Sequence, residues 1–376
     1  MQKKRLHIIS FDNPFPPNYG GIVEVFYKIK ALHTIGIEIY LHSFVDSIPL
    51  EYDALKKITH QVFFYRKSKN PLLFFSKMPF SVRTRDSKKL IKNISSIDAP
   101  ILFEGHKTTY WVYKNRLRNF DNYIRLHNIE NLYFDGLASS ENNWFKKLLY
   151  SVEARKYETY NAVLANFNKV FALSKFENDV INKQFKNSVY IPVFHGNENV
   201  VQLEGFGKYA LYHGDLRASD NRKSVEFLID IFKEIKDFNL IIASSSGEQF
   251  VTSKIKNNSN ISFVKIQNFA HLKELFSDAH INFAVSFQKS GTKLKLLNAL
   301  FNSRFSIINE NIIDDEKITS LCEIAISKEE FISKINELKT KEFNGYNQRK
   351  EILETYMSDV ENARKLAKII FSNGLE

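Results

Sequence analysis

Two glycine-bearing loops, each set between a short apolar run and an amphipathic stretch, occur about two hundred residues apart. The first follows Leu6 to Ser10 (LHIIS), passes through Pro16-Pro17-Asn18-Tyr19-Gly20-Gly21, and opens a helical pattern from Ile22 to Leu32. The second follows Tyr209 to Tyr212 (YALY), passes through His213-Gly214-Asp215 and a polar loop to Lys223, and opens a helical pattern from Ser224 to Ile235. Strand, glycine turn and helix in that order begin a nucleotide-type α/β unit, so the chain reads as two such units in tandem. Ligands of an open parallel sheet bind at the carboxyl ends of its strands. Two units facing each other across a cleft would therefore carry glycine loops on both walls, an arrangement suited to moving a group between two bound molecules.

The periodicity extends this reading along the chain. Strands are expected at Leu6 to Ser10, Ile37 to Phe44, Gln61 to Tyr65, Ile101 to Glu104, Asn122 to Leu126, Lys169 to Leu173 and Val189 to Val193. A second set follows at Tyr209 to Tyr212, Asn239 to Ala243, Ile261 to Val264, Ile281 to Val285, Phe305 to Ile308 and Ile324 to Ile326. The longest intervening helix covers about Asn142 to Asn166, with Trp144, Leu148, Tyr157 and Val163 on its apolar positions. Ser174-Lys175-Phe176-Glu177 is a capping box where a strand has just ended, and the stretch from Gly196 to Lys208 reads as the linker. The resulting division is residues 1–198, 199–354, and a C-terminal helical segment 355–376, whose return to the first unit is an expectation.

Composition narrows the class. The single cysteine, Cys322, rules out an internal disulfide framework and points to a reducing compartment. The basic start MQKKRLHIISFDNPFPP has too short an apolar core for a signal peptide, and no run reaches the roughly eighteen apolar residues of a spanning helix. A cytoplasmic protein is expected. The net charge of +11 lies wholly in residues 1–200, with 29 basic and 18 acidic side chains; the remainder balances at 24 of each. Residues 51–100 hold 11 basic and 4 acidic side chains interleaved with aromatics. Nucleic-acid motifs are absent, and Phe74, Phe75, Met78 and Phe80 suit interfacial insertion better than base stacking. Residues 56–92 therefore read as a docking surface for an anionic membrane, with a solvated basic face as the alternative.

The order of these segments, with "FALSKFENDVI" leading to "YIPVFHGN", then "YALYHGDLRASDNRKS" and "ISFVKIQNFAHLKELFSDAHINFAVSFQKSGTKLKLLNALFNSRFSIIN", resembles a retaining glycosyltransferase of the GT-B fold, close to family 4. The resemblance covers nearly the whole chain. It implies two Rossmann-like α/β domains facing across a cleft. It also implies transfer of a hexosyl-type sugar from a nucleotide sugar, bound mainly by the second domain, to a glycan or lipid-linked acceptor on the first. No metal and no cofactor are implied, the nucleotide sugar being a substrate, and the sequence contains no Asp-x-Asp triplet.

A departing nucleoside diphosphate develops negative charge that helix N-termini, glycine-loop N–H groups and basic side chains can stabilise. The candidates for donor contact are Gly20 and Gly21 on the first wall, Gly214, Arg217, Arg222 and Lys223 on the second, and Ser290-Gly291-Thr292-Lys293. The resemblance adds His127 as the catalytic residue against the donor sugar, and Ile266 and Gln267 near the base. Glu104, His106 and Arg125 fall at strand ends on the acceptor side. Ser290 and Asn298 stand where the family carries two glutamates eight positions apart, and Asn221 stands near an expected lysine. Two readings follow: a divergent transferase for polysaccharide synthesis whose donor contacts have moved to Arg217, Arg222, Lys293 and Lys295, or a catalytically weak scaffold that partners another transferase. A sugar-nucleotide epimerase is a third, and the missing glutamates count against it.

Overall fold

The computed structural model describes residues 3–141, 143–288 and 294–372. The chain forms two units: one takes it as far as Gly196 and again from Ser358, and the other lies between Asn197 and Met357.

The first unit is built on seven parallel strands: β1 (Arg5–Ser10), β2 (Glu38–Val45), β3 (Gln61–Arg66), β4 (Ile101–Glu104), β5 (Asn122–Arg125), β6 (Lys169–Ala172) and β7 (Ser188–Tyr190). Their order is β3-β2-β1-β4-β5-β6-β7, so the winding reverses between β1 and β4. Helices cover both faces, which is why β1 and β2 are buried along nearly their whole length, His7, His42 and Ser43 included. One face packs Ile22, Val25, Ile29 and Leu32 of the helix Gly20–Thr34 beside Ala363, Leu366 and Ile370 of the helix Asp359–Phe371. The opposite face packs Val82, Leu90, Tyr157, Val163 and Leu164.

The second unit holds β8 (Tyr209–His213), β9 (Leu240–Ser244), β10 (Ile261–Lys265), β11 (Ala279–Ala284), β12 (Phe305–Ile308) and β13 (Glu323–Ile324), again parallel. The order β10-β9-β8-β11-β12-β13 reverses between β8 and β11. The helix Ser219–Phe232 buries Val225, Leu228, Ile229 and Phe232, the stripe a 3.6-residue period demands.

All thirteen expected strands form, with shifted ends. β7 stops at Tyr190 and not at Val193, because Pro192 has no N–H to give the ladder. Four expectations are corrected. The long helix spans Trp144–Tyr160, and its Trp144 and Leu148 are 75% and 53% exposed. Its buried residues begin only at Glu153, so its first turns do not lie on the core. The stretch after Gly196 is not a free linker: Val200 N–H donates to Glu354, Gly205 pairs with Phe343, and Gly207 N–H donates to His280 Nδ1. Met78 is buried in the core. Finally, the basic residues of 56–92 do not share one face. Lys56 and Lys57 precede β3 at its amino end, and Lys67 is paired with Asp12 and Asp46. Arg83 pairs with Asp86, and Arg85 is buried against the Phe11 and Ser81 carbonyls. Among the described residues, no helix is long and apolar enough to cross a membrane.

Candidate functional site

In open α/β sheets the crevice for a ligand lies at the carboxyl ends of the strands where the winding reverses. In the first unit that point is between β1 and β4. β1 leads into the loop ending at Gly20-Gly21, β4 ends at Glu104, and β5 delivers His127 just beyond Arg125.

His127 is buried, and its Nε2 lies 2.9 Å from Glu104 Oε2. A carboxylate acceptor at that distance fixes the proton on Nε2. Nδ1 is buried and has no hydrogen-bond partner among the described residues. In the neutral ring it is therefore a bare acceptor. It faces the start of the helix Gly20–Thr34, since a Cβ on Gly21 would stand 3.7 Å from Nδ1 and 3.1 Å from Phe11 Cζ. Phe11 meets the imidazole edge-to-face. Among the described residues no side chain caps this helix, so the N–H groups of Gly20 and Gly21 point out of its positive end. Gly105, at φ +69°, makes the turn that brings β4's end beneath the ring; a Cβ there would lie 3.7 Å from His127 Cδ2.

Behind His127 stands a fully buried ionic network. Lys28 Nζ bridges Glu24 at 2.7 Å and Glu104 at 2.9 Å, and Arg125 Nε holds Glu24 at 2.9 Å. Burial alone would raise the Glu24 carboxyl, but Lys28, Arg125 and His127 outweigh it and hold it down at about 2. Glu24, Glu104 and His127 bring three ligand-type atoms within 4.8 Å of one another. They do not fit a cation, because Lys28 and Arg125 already balance the two carboxylates.

This places the three acceptor candidates. Arg125 also donates to the Ala172, Ile191 and Pro192 carbonyls and reaches no surface. Glu104 lies behind His127, engaged with it and with Lys28. His106 is buried edge-on to Tyr157, and burial, then Lys107, pull its imidazole down to about 3. It borders a cavity of about 30 Å³ lined by Leu126, Ile129, Asn161 and Leu164, room for a water and not for a sugar. The network members Glu24 and Lys28 were not singled out from sequence. Their signal is a Glu/Lys pair four residues apart inside an otherwise apolar helix face.

In the second unit, β8 ends at His213 and Gly214 beside the reversal. Gly214 N–H donates to the Ala243 carbonyl. Arg217 lies in the same loop, with one edge of its guanidinium, Nε and Nη2, taken by Asp215 at 2.8 to 3.0 Å. Arg222 donates to the Leu216 carbonyl and lies over Phe250, and Lys223 lies 4.3 Å over Phe287. Asp220 ties the loop after β11 to this helix by accepting from Ser286 Oγ and Phe287 N–H, each at 2.8 Å. Ile266 and Gln267 follow β10, half-buried and exposed respectively. Asn298 sits in a ladder, its Oδ1 accepting from Asn197 while Asn302 donates to Asn197 Oδ1. Ser290, Gly291, Thr292 and Lys293 lie outside the described residues.

No protein-family model matches the chain. It is 25% identical over 329 residues to an uncharacterized 44.6 kDa protein in the cps region of Klebsiella pneumoniae, spanning 81% of this chain and 82% of that one. Its structure is similar to sucrose-phosphate synthase from Thermosynechococcus elongatus, with a TM-score of 0.70 at 14% identity over 99% of this chain and 100% of that one. It is also similar to a mutant of S. aureus TarM in complex with fondaparinux, α-GlcNAc-glycerol and UDP, with a TM-score of 0.66 at 15% identity over 99% and 100% of the two chains. Two parallel sheets, wound alike and each flanked by helices, thus give this chain the GT-B fold of glycosyltransferases.

Proposed function

We propose that the chain is a glycosyltransferase that moves a hexosyl-type sugar from a nucleotide sugar to a glycan or lipid-linked acceptor, with retention and without a metal, in polysaccharide synthesis at the cytoplasmic face of a membrane. The observation that carries this reading is the His127–Glu104 pair, whose Nδ1 stands bare beside the uncapped Gly20-Gly21 helix start. A hydroxyl of the donor sugar would donate to Nδ1, while N–H groups at the helix start meet the phosphate charge that grows as the bond to the sugar breaks. Retention and metal independence rest on the resemblance to family 4. Support for a nucleotide as ligand comes from the similar TarM structure, which contains UDP.

A second reading, the catalytically weak scaffold, is favoured by the Asp215–Arg217 pair and by the engagement of Asn298 with Asn197, which give two of the expected donor contacts partners within the protein. One experiment separates the two. The chain is titrated calorimetrically with UDP, GDP and their hexose conjugates, then assayed for nucleotide release in EDTA. Binding with turnover establishes the transferase; no binding to any of them establishes the scaffold. The anomeric configuration of the product, read by NMR, tests retention.

A further inference from the structure

We propose that the first unit docks on an anionic phospholipid bilayer through two apolar prominences, Leu72 with Phe75, and Trp144 with Phe145 and Leu148. These side chains are 68%, 84%, 75%, 53% and 53% exposed, in that order. They belong to one framework. The 3₁₀ turn Pro71–Phe75 follows the carboxyl end of β3, and the helices Glu130–Ser140 and Trp144–Tyr160 follow the carboxyl end of β5. Lys156, on the second half of the latter helix, donates to the Phe74 carbonyl and lies 4.1 Å over its ring. Glu153 accepts the Phe80 N–H at 2.9 Å. The helix that carries Trp144 is thereby fastened to the segment that carries Phe75.

The charge around both prominences selects the occupant. From Ala54 to Arg85 the chain has no acidic residue and eight basic ones, of which Arg66, Lys69 and Lys77 are exposed around the 3₁₀ turn. Lys146 and Lys147 are exposed between Phe145 and Leu148. Of the carboxylates close by in sequence, Glu141 accepts the Asn143 N–H, Asp86 pairs with Arg83, and Asp135 and Glu158 are exposed. Tryptophan favours the headgroup level, phenylalanine and leucine reach the acyl boundary, and lysine stems extend along apolar surface with the ammonium among the phosphates. Five exposed apolar side chains with five exposed cations among them match that profile.

The chain has two tryptophans, so Trp111→Phe leaves Trp144 as the only reporter. On adding phosphatidylcholine vesicles containing phosphatidylglycerol at low salt, Trp144 emission shifts to the blue and the unaltered chain sediments with the vesicles. Both effects weaken in high salt and with phosphatidylcholine alone. Trp144→Ser with Phe145→Ser, and separately Leu72→Ser with Phe75→Ser, lower the partition coefficient about tenfold while the melting temperature stays unchanged. The proposal is overturned if the unaltered chain stays in the supernatant at low salt, or if both variants sediment like it. It is also overturned if Trp144 shifts only with an oligonucleotide, or if the chain is a dimer that Trp144→Ser dissociates. None of these readouts depends on sugar transfer.

Discussion

The Lys295 ammonium lies 3.0 Å from Asn221 Oδ1 and 2.7 Å from the Val285 carbonyl, above the Tyr212 ring. Asn221 stands near the position where the resemblance places a lysine, so the helix Leu294–Asn302 brings a cation to that place from elsewhere in the chain. If this charge serves the donor phosphates, Lys295→Met weakens nucleoside diphosphate binding by about 1 to 3 kcal/mol, the size of a charge-assisted contact. Lys295→Arg retains most of it. Calorimetry on variants with unaltered melting curves measures this, and an unchanged Kd removes Lys295 from the donor site.

His127→Ala lowers turnover about tenfold or more, roughly 2 kcal/mol of lost transition-state interaction, and leaves the affinity for the free nucleoside diphosphate in place. The split follows from geometry: among the described residues Nδ1 has no hydrogen-bond partner, and it is an acceptor suited to a hydroxyl and not to a phosphate oxygen. Equal losses in kcat and in nucleotide affinity would assign the ring to the phosphates.

Arg125→Ala and Glu24→Ala each destabilise the first unit by about 3 to 5 kcal/mol, because either change strands a charge with no water to solvate it. Urea unfolding followed by circular dichroism measures the loss. If Arg125→Ala unfolds like the unaltered chain and raises only the acceptor KM, the guanidinium meets the acceptor after all.

The first unit loses stability as pH falls below about 6.5. Burial pulls the imidazoles of His7, His42 and His106 below their ordinary value, with His106 at about 3. His7 and His42 are joined at 3.0 Å and cannot both be charged there. The unfolded chain takes up these protons as pH drops through 6.5 and the folded chain does not, so their contribution is full above that pH and is lost below it. The slope is about 1.4 kcal/mol per pH unit for each histidine left neutral. Urea midpoints between pH 7.5 and 4.5 check this, and His106→Leu should flatten the curve.

The strands were legible because both faces of each sheet are covered, which makes a strand an apolar run whatever its neighbours. The strand-end positions of Glu104, His127 and Gly214 were legible for the same reason. What each side chain does there was not, because it depends on partners far along the chain: Glu104 on Lys28 and His127, Arg125 on Glu24 and Pro192. Trp144 and Leu148 have the spacing of a core stripe, and spacing alone cannot say which helical turns meet a sheet. Likewise the basic run 56–92 is one stretch of sequence but straddles both ends of β3.

The helix Asp359–Phe371 fills the first unit's core with Ala363, Leu366 and Ile370, and Asp359 holds the N–H groups of His195 and Gly196. During synthesis the ribosome must therefore make the whole of the second unit before the first can close over Ile22, Ile29 and Leu32. Until then the nascent chain carries an open apolar face along the helix Gly20–Thr34, a surface for chaperones to hold. The second unit, which lies between Asn197 and Met357, can fold while the first still waits.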